Sequence, residues 1–148
     1  MASSAITRIP TPSGEPHTAL SADAVSYVGV VFTTHVPDRA DGSLELGDIR
    51  RQTEQVFHNL SETLSAAGSS LSRLLHLTIH LTDMADREVF NEVYAARIPQ
   101  PLPVRCCVAV AALATEGMRI EITAHAAVAP SADGSSNLRD HVTGAAGT

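Results

Sequence analysis

Lysine is missing from this 148-residue chain: all 10 basic residues are arginine. Without a side-chain amine no Schiff base forms with a carbonyl substrate, so lysine-based covalent catalysis is excluded. A basic stretch is missing too. Against 16 acidic residues the formal charge is −6, which argues against a surface that neutralises phosphates and so against a nucleic-acid partner. No run of about 18 apolar residues occurs, and the N-terminus lacks a charged-then-apolar leader pattern. The expectation is a cytoplasmic protein with no membrane partner. Cysteine is scarce, with Cys106 and Cys107 adjacent. Neighbours in an extended strand point to opposite faces and cannot easily bridge, so both read as reduced thiols of a reducing compartment.

Several catalytic signatures are absent as well. There is no HExxH, CxxC or carboxylate-rich triad, so no metal is expected. His76 and His80 would lie about 13 Å apart along one strand face, too far to share an ion. No Gly-x-Ser-x-Gly elbow marks a serine nucleophile, and Gly-rich phosphate loops are missing.

What is present reads as one domain over residues 1–128 with a small, polar, disordered tail over 129–148. Residues 6–9 predict a short strand, followed by a loop over 11–23. The β-branched and aromatic run over 25–35 predicts a single strand with Gly29 as a bulge or close approach. Asp48 is an N-cap for a helix to about Ala67, closed by Gly68, with Ile49, Val56, Phe57, Leu60 and Leu64 as its buried stripe. Over 74–81 the alternation points Leu75, Leu77, Ile79 and Leu81 inward and His76, Thr78 and His80 outward. A second helix spans about 84–97, with Val89, Phe90, Val93 and Tyr94 apolar. Pro99, Pro101 and Pro103 then stiffen the connection to a hairpin of 103–113 and 118–126 around the turn Ala114-Thr115-Glu116-Gly117. The order β-β-α-β-α-β-β predicts an α+β fold, one sheet with two helices on one face.

Alternation in that hairpin places Arg105, Glu121 and His125 on its face away from the core, with His76 and His80 alongside. Small and apolar residues among these polar ones suit an oligomer interface. Arg105 can grip a planar carboxylate bidentately, or be a surface or intersubunit ion-pair partner. Glu121 can serve as a base toward water, or pair with Arg119 or Arg105. Cys107 shares the face of Arg105 and reads equally as packing.

The chain resembles the RidA/YjgF/UK114 family of small imine/enamine deaminases over about residues 25–128. The likeness rests on Gly47-Asp48-Ile49-Arg50-Arg51-Gln52-Thr53, Ala66-Ala67-Gly68-Ser69-Ser70-Leu71 and Leu81-Thr82-Asp83-Met84-Ala85-Asp86. It continues through Phe90-Asn91-Glu92-Val93-Tyr94, Pro103-Val104-Arg105 and Ile120-Glu121-Ile122. The resemblance implies a chorismate-mutase-like fold and a homotrimer whose sheets line a central barrel, with sites in the clefts between subunits. It implies that Arg105 binds the acid group of an imino or enamino acid, that Glu121 positions the hydrolytic water, and that Cys107 and Asn91 belong to the substrate-binding set. Hydrolysis would release ammonia and a keto acid without a cofactor. Where the family has Gly-Pro-Tyr-Ser-Gln, this chain reads Gly14-Glu15-Pro16-His17-Thr18-Ala19, and Ser-Gly-Gln-Ile-Pro becomes Thr33-Thr34-His35-Val36-Pro37. His17 and His35, titrating near neutral pH, thus join the substrate-binding set. They leave open a pathway-specific enzyme with altered chemistry: a tautomerase, lyase, cyclase or dedicated deaminase of an unsaturated amino acid. A non-enzymatic ligand-binding trimer is the third reading.

Overall fold

The computed structural model describes residues 4–9 and 20–131. His17, most of the expected loop over 11–23 and the expected tail from residue 132 onward lie outside the described residues.

Among the described residues six strands form one mixed sheet, with two α-helices packed on one face. They are β1 (Thr7–Ile9), β2 (Ala24–Tyr27), β3 (Val30–His35), α1 (Ile49–Ala66), β4 (Leu74–Leu81), α2 (Arg87–Arg97), β5 (Val104–Ala109) and β6 (Ile120–Ala127). Strand order across the sheet is β1-β2-β3-β6-β4-β5. Among the described residues only the β4–β5 pair is parallel, and α2 supplies its crossover.

The long helix begins and ends where expected. Asp48 accepts a hydrogen bond from the Arg51 amide at 2.9 Å. Gly68 takes φ +76°, and the Ser69 amide returns to the Leu64 carbonyl at 2.8 Å. Buried Gln52, outside the expected stripe, ties α1 to the sheet. Its amide donates to the Gly47 and Gly117 carbonyls and its oxygen accepts from the Arg119 amide. Val56, Phe57, Leu60 and Leu64 of α1 and Phe90 and Val93 of α2 pack on Leu77, Ile79, Leu81, Ile120, Ile122 and Ala124. Each such aliphatic or aromatic side chain contributes about 1.5–3 kcal/mol by leaving water.

Three expectations are corrected. The run over 25–35 is two antiparallel strands, because Val28 (φ +49°) and Gly29 (φ +78°) make a two-residue turn with both central residues left-handed. Gly29 is therefore a turn residue and not a bulge. Leu75 faces solvent, since a register shift between Leu74 and His76 flips the alternation and turns Leu74 inward. The largest correction concerns the hairpin. Strands β5 and β6 are not neighbours, because β4 lies between them, pairing with both.

The inward residues explain that order. Strand β6 turns Ile120, Ile122, Ala124 and Ala126 to the helices, and all four are fully buried, as a central strand requires. Strand β5 turns Arg105, Cys107 and Ala109 the same way, too little apolar bulk for a position beneath two helices. It takes the edge.

Candidate functional site

Cross-strand partners point to the same face, so the pairing of Arg105 with Leu77 sends Arg105 to the helix side of the sheet. There it meets α2. Asn91 and Tyr94, three residues apart on one helix face, both reach it. The Asn91 side-chain oxygen accepts from Arg105 Nη2 at 2.7 Å. The guanidinium carbon sits 4.5 Å over the Tyr94 ring and 5.8 Å from that of Phe90, a geometry favourable to a cation. A depression of about 640 Å³ opens here, lined by Asn91, Tyr94, Ile98, Pro103 and Arg105 among others. Arg105 Nη1 and the Tyr94 hydroxyl are buried within the chain and have no hydrogen-bond partner. Cys107 is two residues along the same face, and burial pushes its thiol up, with Arg87 and Arg105 working weakly against that. It is a protonated thiol and not a poised nucleophile.

Glu121 pairs with His80 across β6 and β4, on the face that no helix covers. A second depression, about 540 Å³, is lined by Phe32, His35, Glu121, Thr123, His125 and Asp23 among others. Phe32 and His125 meet edge to face at 5.0 Å, and the His76 ring lies 5.9 Å from that of His125. Burial raises Asp23 above the usual carboxylate range, and nearby Asp38 adds to the shift. Glu121 pairs with neither arginine proposed for it. Arg119 is committed to Asp86 by two hydrogen bonds of 2.9 and 2.7 Å, and Arg105 to Asn91.

His35 corrects a further expectation. It is buried, and its Nε2 lies 2.9 Å from Thr33 Oγ1. Because that hydroxyl donates to the Asp23 carbonyl, the network assigns the proton to His35 Nε2. Burial lowers the pKa of His35 to about 4, so near neutral pH it is an uncharged hydrogen-bond donor and not a titrating group.

The single face expected to hold Arg105, Glu121 and His125 does not exist within one chain. His76, His80, Glu121 and His125 do share the uncovered face, whereas Arg105 and Cys107 point the other way, with β4 in between. The alternation within β5 and β6 was sound. The assumed adjacency of the two strands was not, nor was the choice of which face of β5 meets the core. Tyr94 is the residue that sequence reasoning missed: it sits in the apolar stripe of α2, and only its three-residue spacing from Asn91 hinted at a polar role. Among the described residues no cluster of His, Cys, Asp and Glu suits a metal ion, and no helix is long and apolar enough to cross a membrane.

The pattern of the family described as endoribonuclease L-PSP matches residues 13–128. Over 101 residues the chain is 40% identical to the mitochondrial protein mmf1 of Schizosaccharomyces pombe, covering 67% of this chain and 62%, under two thirds, of that protein. It is 37% identical over 93 residues to the 2-iminobutanoate/2-iminopropanoate deaminase of Rattus norvegicus, covering 63% and 67% respectively. Its fold superposes on the crystal structure of RidA from an Antarctic Psychrobacter with a TM-score of 0.74 at 31% identity, covering 82% of this chain and 99% of that one. The mitochondrial relative overturns the cytoplasmic assignment. That assignment rested on reduced thiols and a missing leader pattern, and reduced thiols exclude only an oxidising compartment.

Proposed function

Because the chain belongs to the endoribonuclease L-PSP family, the family of the YjgF and RidA proteins, we propose that it hydrolyses reactive 2-imino and 2-enamino acids to 2-keto acids and ammonia. The observation that carries this reading is the Arg105 guanidinium, held by Asn91 and Tyr94 with Nη1 unpartnered inside a small depression. An inflexible cation with a free donor fits a small planar carboxylate. The substrate's C=N carbon then faces a water that Glu121 orients and deprotonates. The new C–O bond forms as the C=N electron pair moves to nitrogen and takes up a proton. Collapse of the carbinolamine restores C=O and expels ammonia, so imine plus water balances against keto acid plus ammonia. General-base assistance of this kind contributes about 10²–10⁴-fold.

The opposite facing of Arg105 and Glu121 supports a site built by two copies of the chain. The uncovered sheet face exposes Tyr27, Phe32, Val104 and Val108, apolar surface that a monomer would leave wet. We read it as the inner wall of a homotrimer, in which Arg105 of one copy meets Glu121 of the next. The alternative chemistry that draws on His35 loses support, since this buried imidazole does not carry a proton in and out near neutral pH.

A coupled assay tests the proposal. An amino-acid oxidase generates 2-iminopropanoate, and its disappearance is followed with and without the protein. Wild type accelerates the loss and Arg105→Ala does not; equal, uncatalysed rates for both would remove the reading. Incubation of the same preparations with RNA tests the activity named in the family's description, which the charge of −6 disfavours.

A further inference from the structure

Among the described residues, two buried side-chain polar atoms lack a hydrogen-bond partner: Arg105 Nη1 and the Tyr94 hydroxyl. They belong to one contact, the guanidinium lying 4.5 Å over the phenol ring, and both residues line the same depression. Tyr94 is only 6% exposed. A buried donor without a partner has lost its hydration with no return, and native interiors rarely keep one. Apolar packing does not need this hydroxyl: Phe90, one turn earlier on α2, fills the space beside Tyr94 without one.

We propose that the Tyr94 hydroxyl is a second donor to the substrate carboxylate, binding one oxygen while Arg105 Nη1 binds the other. This rests on the deaminase reading above and extends its binding site to a further residue that determines substrate class. Burial raises the phenol above its ordinary pKa, with Arg105 opposing, so the hydroxyl keeps its proton and can donate to an anion. Two convergent donors match the two oxygens of a free acid. An amide of the same acid offers a single carbonyl oxygen and leaves one donor unpaired, so the site selects free imino acids over their amides.

Tyr94→Phe removes the hydroxyl and keeps the ring beneath Arg105. The expected result is a KM for 2-iminopropanoate raised roughly 10- to 100-fold with kcat within about threefold, since a hydrogen bond to a charged group is lost. Addition of 2-oxobutanoate, a stable keto acid, should raise the melting temperature of wild type and raise that of Tyr94→Phe much less. Without ligand the variant should melt about 2–6 °C higher than wild type, because an unsatisfied group has been removed. An unchanged KM and an unchanged 2-oxobutanoate shift would overturn the proposal. So would a lower melting temperature without ligand, which would give the hydroxyl an internal partner. Arg105→Ala separates the two levels. If it also keeps the wild-type rate, the deaminase reading fails. If it loses the rate while Tyr94→Phe keeps its KM, only the role of Tyr94 fails.

Discussion

The Arg105 and Glu121 sides of this molecule are built on opposite principles. Arg105 sits on an edge strand, roofed by α2, and its charge is held by Asn91 and the Tyr94 ring. Glu121 sits on a central strand whose backbone is paired on both sides, while its side chain stands on the face no helix covers. One side holds a cation in place between a strand and a helix. The other is an open wall of imidazoles, threonines and a phenylalanine. The difference teaches that the two faces of a single sheet can hold their charged residues by different means; under the proposed trimer, the two would meet only between copies.

The contrast breaks most readily at the chemistry. Glu121→Gln should lower kcat about 10²- to 10⁴-fold with little change in KM, as loss of a general base does. Arg105→Ala should act mainly through binding, by roughly 30- to 1000-fold in kcat/KM. Steady-state kinetics separate the two, and identical signatures would erase the proposed division of labour. The next effect is a rescue. When inactive Arg105→Ala and Glu121→Gln chains are unfolded, mixed in equal amounts and refolded, about a quarter of the sites should pair an intact arginine with an intact glutamate from the neighbouring copy. No recovery in an assembly shown by mass to be mixed would place both residues in one copy's site.

A pH-sensitive point should lie apart from both: His35, level with buried Ile122, on the helix-facing side of β3. His35 has a pKa of about 4 in the folded chain and the ordinary value of about 6.5 when unfolded. Between these values the unfolded state binds the extra proton, so stability is full above about pH 6.5, falls as the pH drops toward 4, and then levels. The whole span corresponds to roughly 3 kcal/mol. Urea midpoints measured across that range should show this slope for wild type and lose it in His35→Gln, while Arg105→Ala retains it. The smallest effect concerns the turn that joins β2 to β3, at the opposite end of β3 from His35. Val28, β-branched, is held at φ +49° ahead of Gly29. Val28→Asn should stabilise the protein by about 0.5–1 kcal/mol in urea titration, because asparagine tolerates the left-handed region. The grip at Arg105 should not notice it.

Much of the fold was legible in the sequence because its signals are local. Asp48 and Gly68 bound α1, the stripe of Ile49, Val56, Phe57, Leu60 and Leu64 faces the core, and the alternation in β6 names its buried residues. Arg105 and Glu121 were legible as candidates because charges set into strands otherwise rich in small and apolar residues call for a reason. Gln52 and Tyr94 were not. Gln52 is a polar residue on a buried face, whose partners lie on the far side of the chain at Gly117 and Arg119. Tyr94 looks apolar in a periodic pattern until a cation from β5 stands over its ring. His35 misled for the same reason, since nothing within the strand announces the depth of its burial.

By itself the sequence determined both helices, the caps of α1, the buried face of β6 and the membership of a family, because these depend on residues two to four positions apart or on motifs read in order. Only the tertiary structure decided that β4 lies between β5 and β6, and that Arg105, level with Leu77, faces the helices while Glu121, level with His80, faces away from them. Strand order follows from which inward faces can fill the space beneath two helices. That is a competition among distant segments, and β6, with its isoleucines, takes the centre while the arginine-bearing strand is left at the edge.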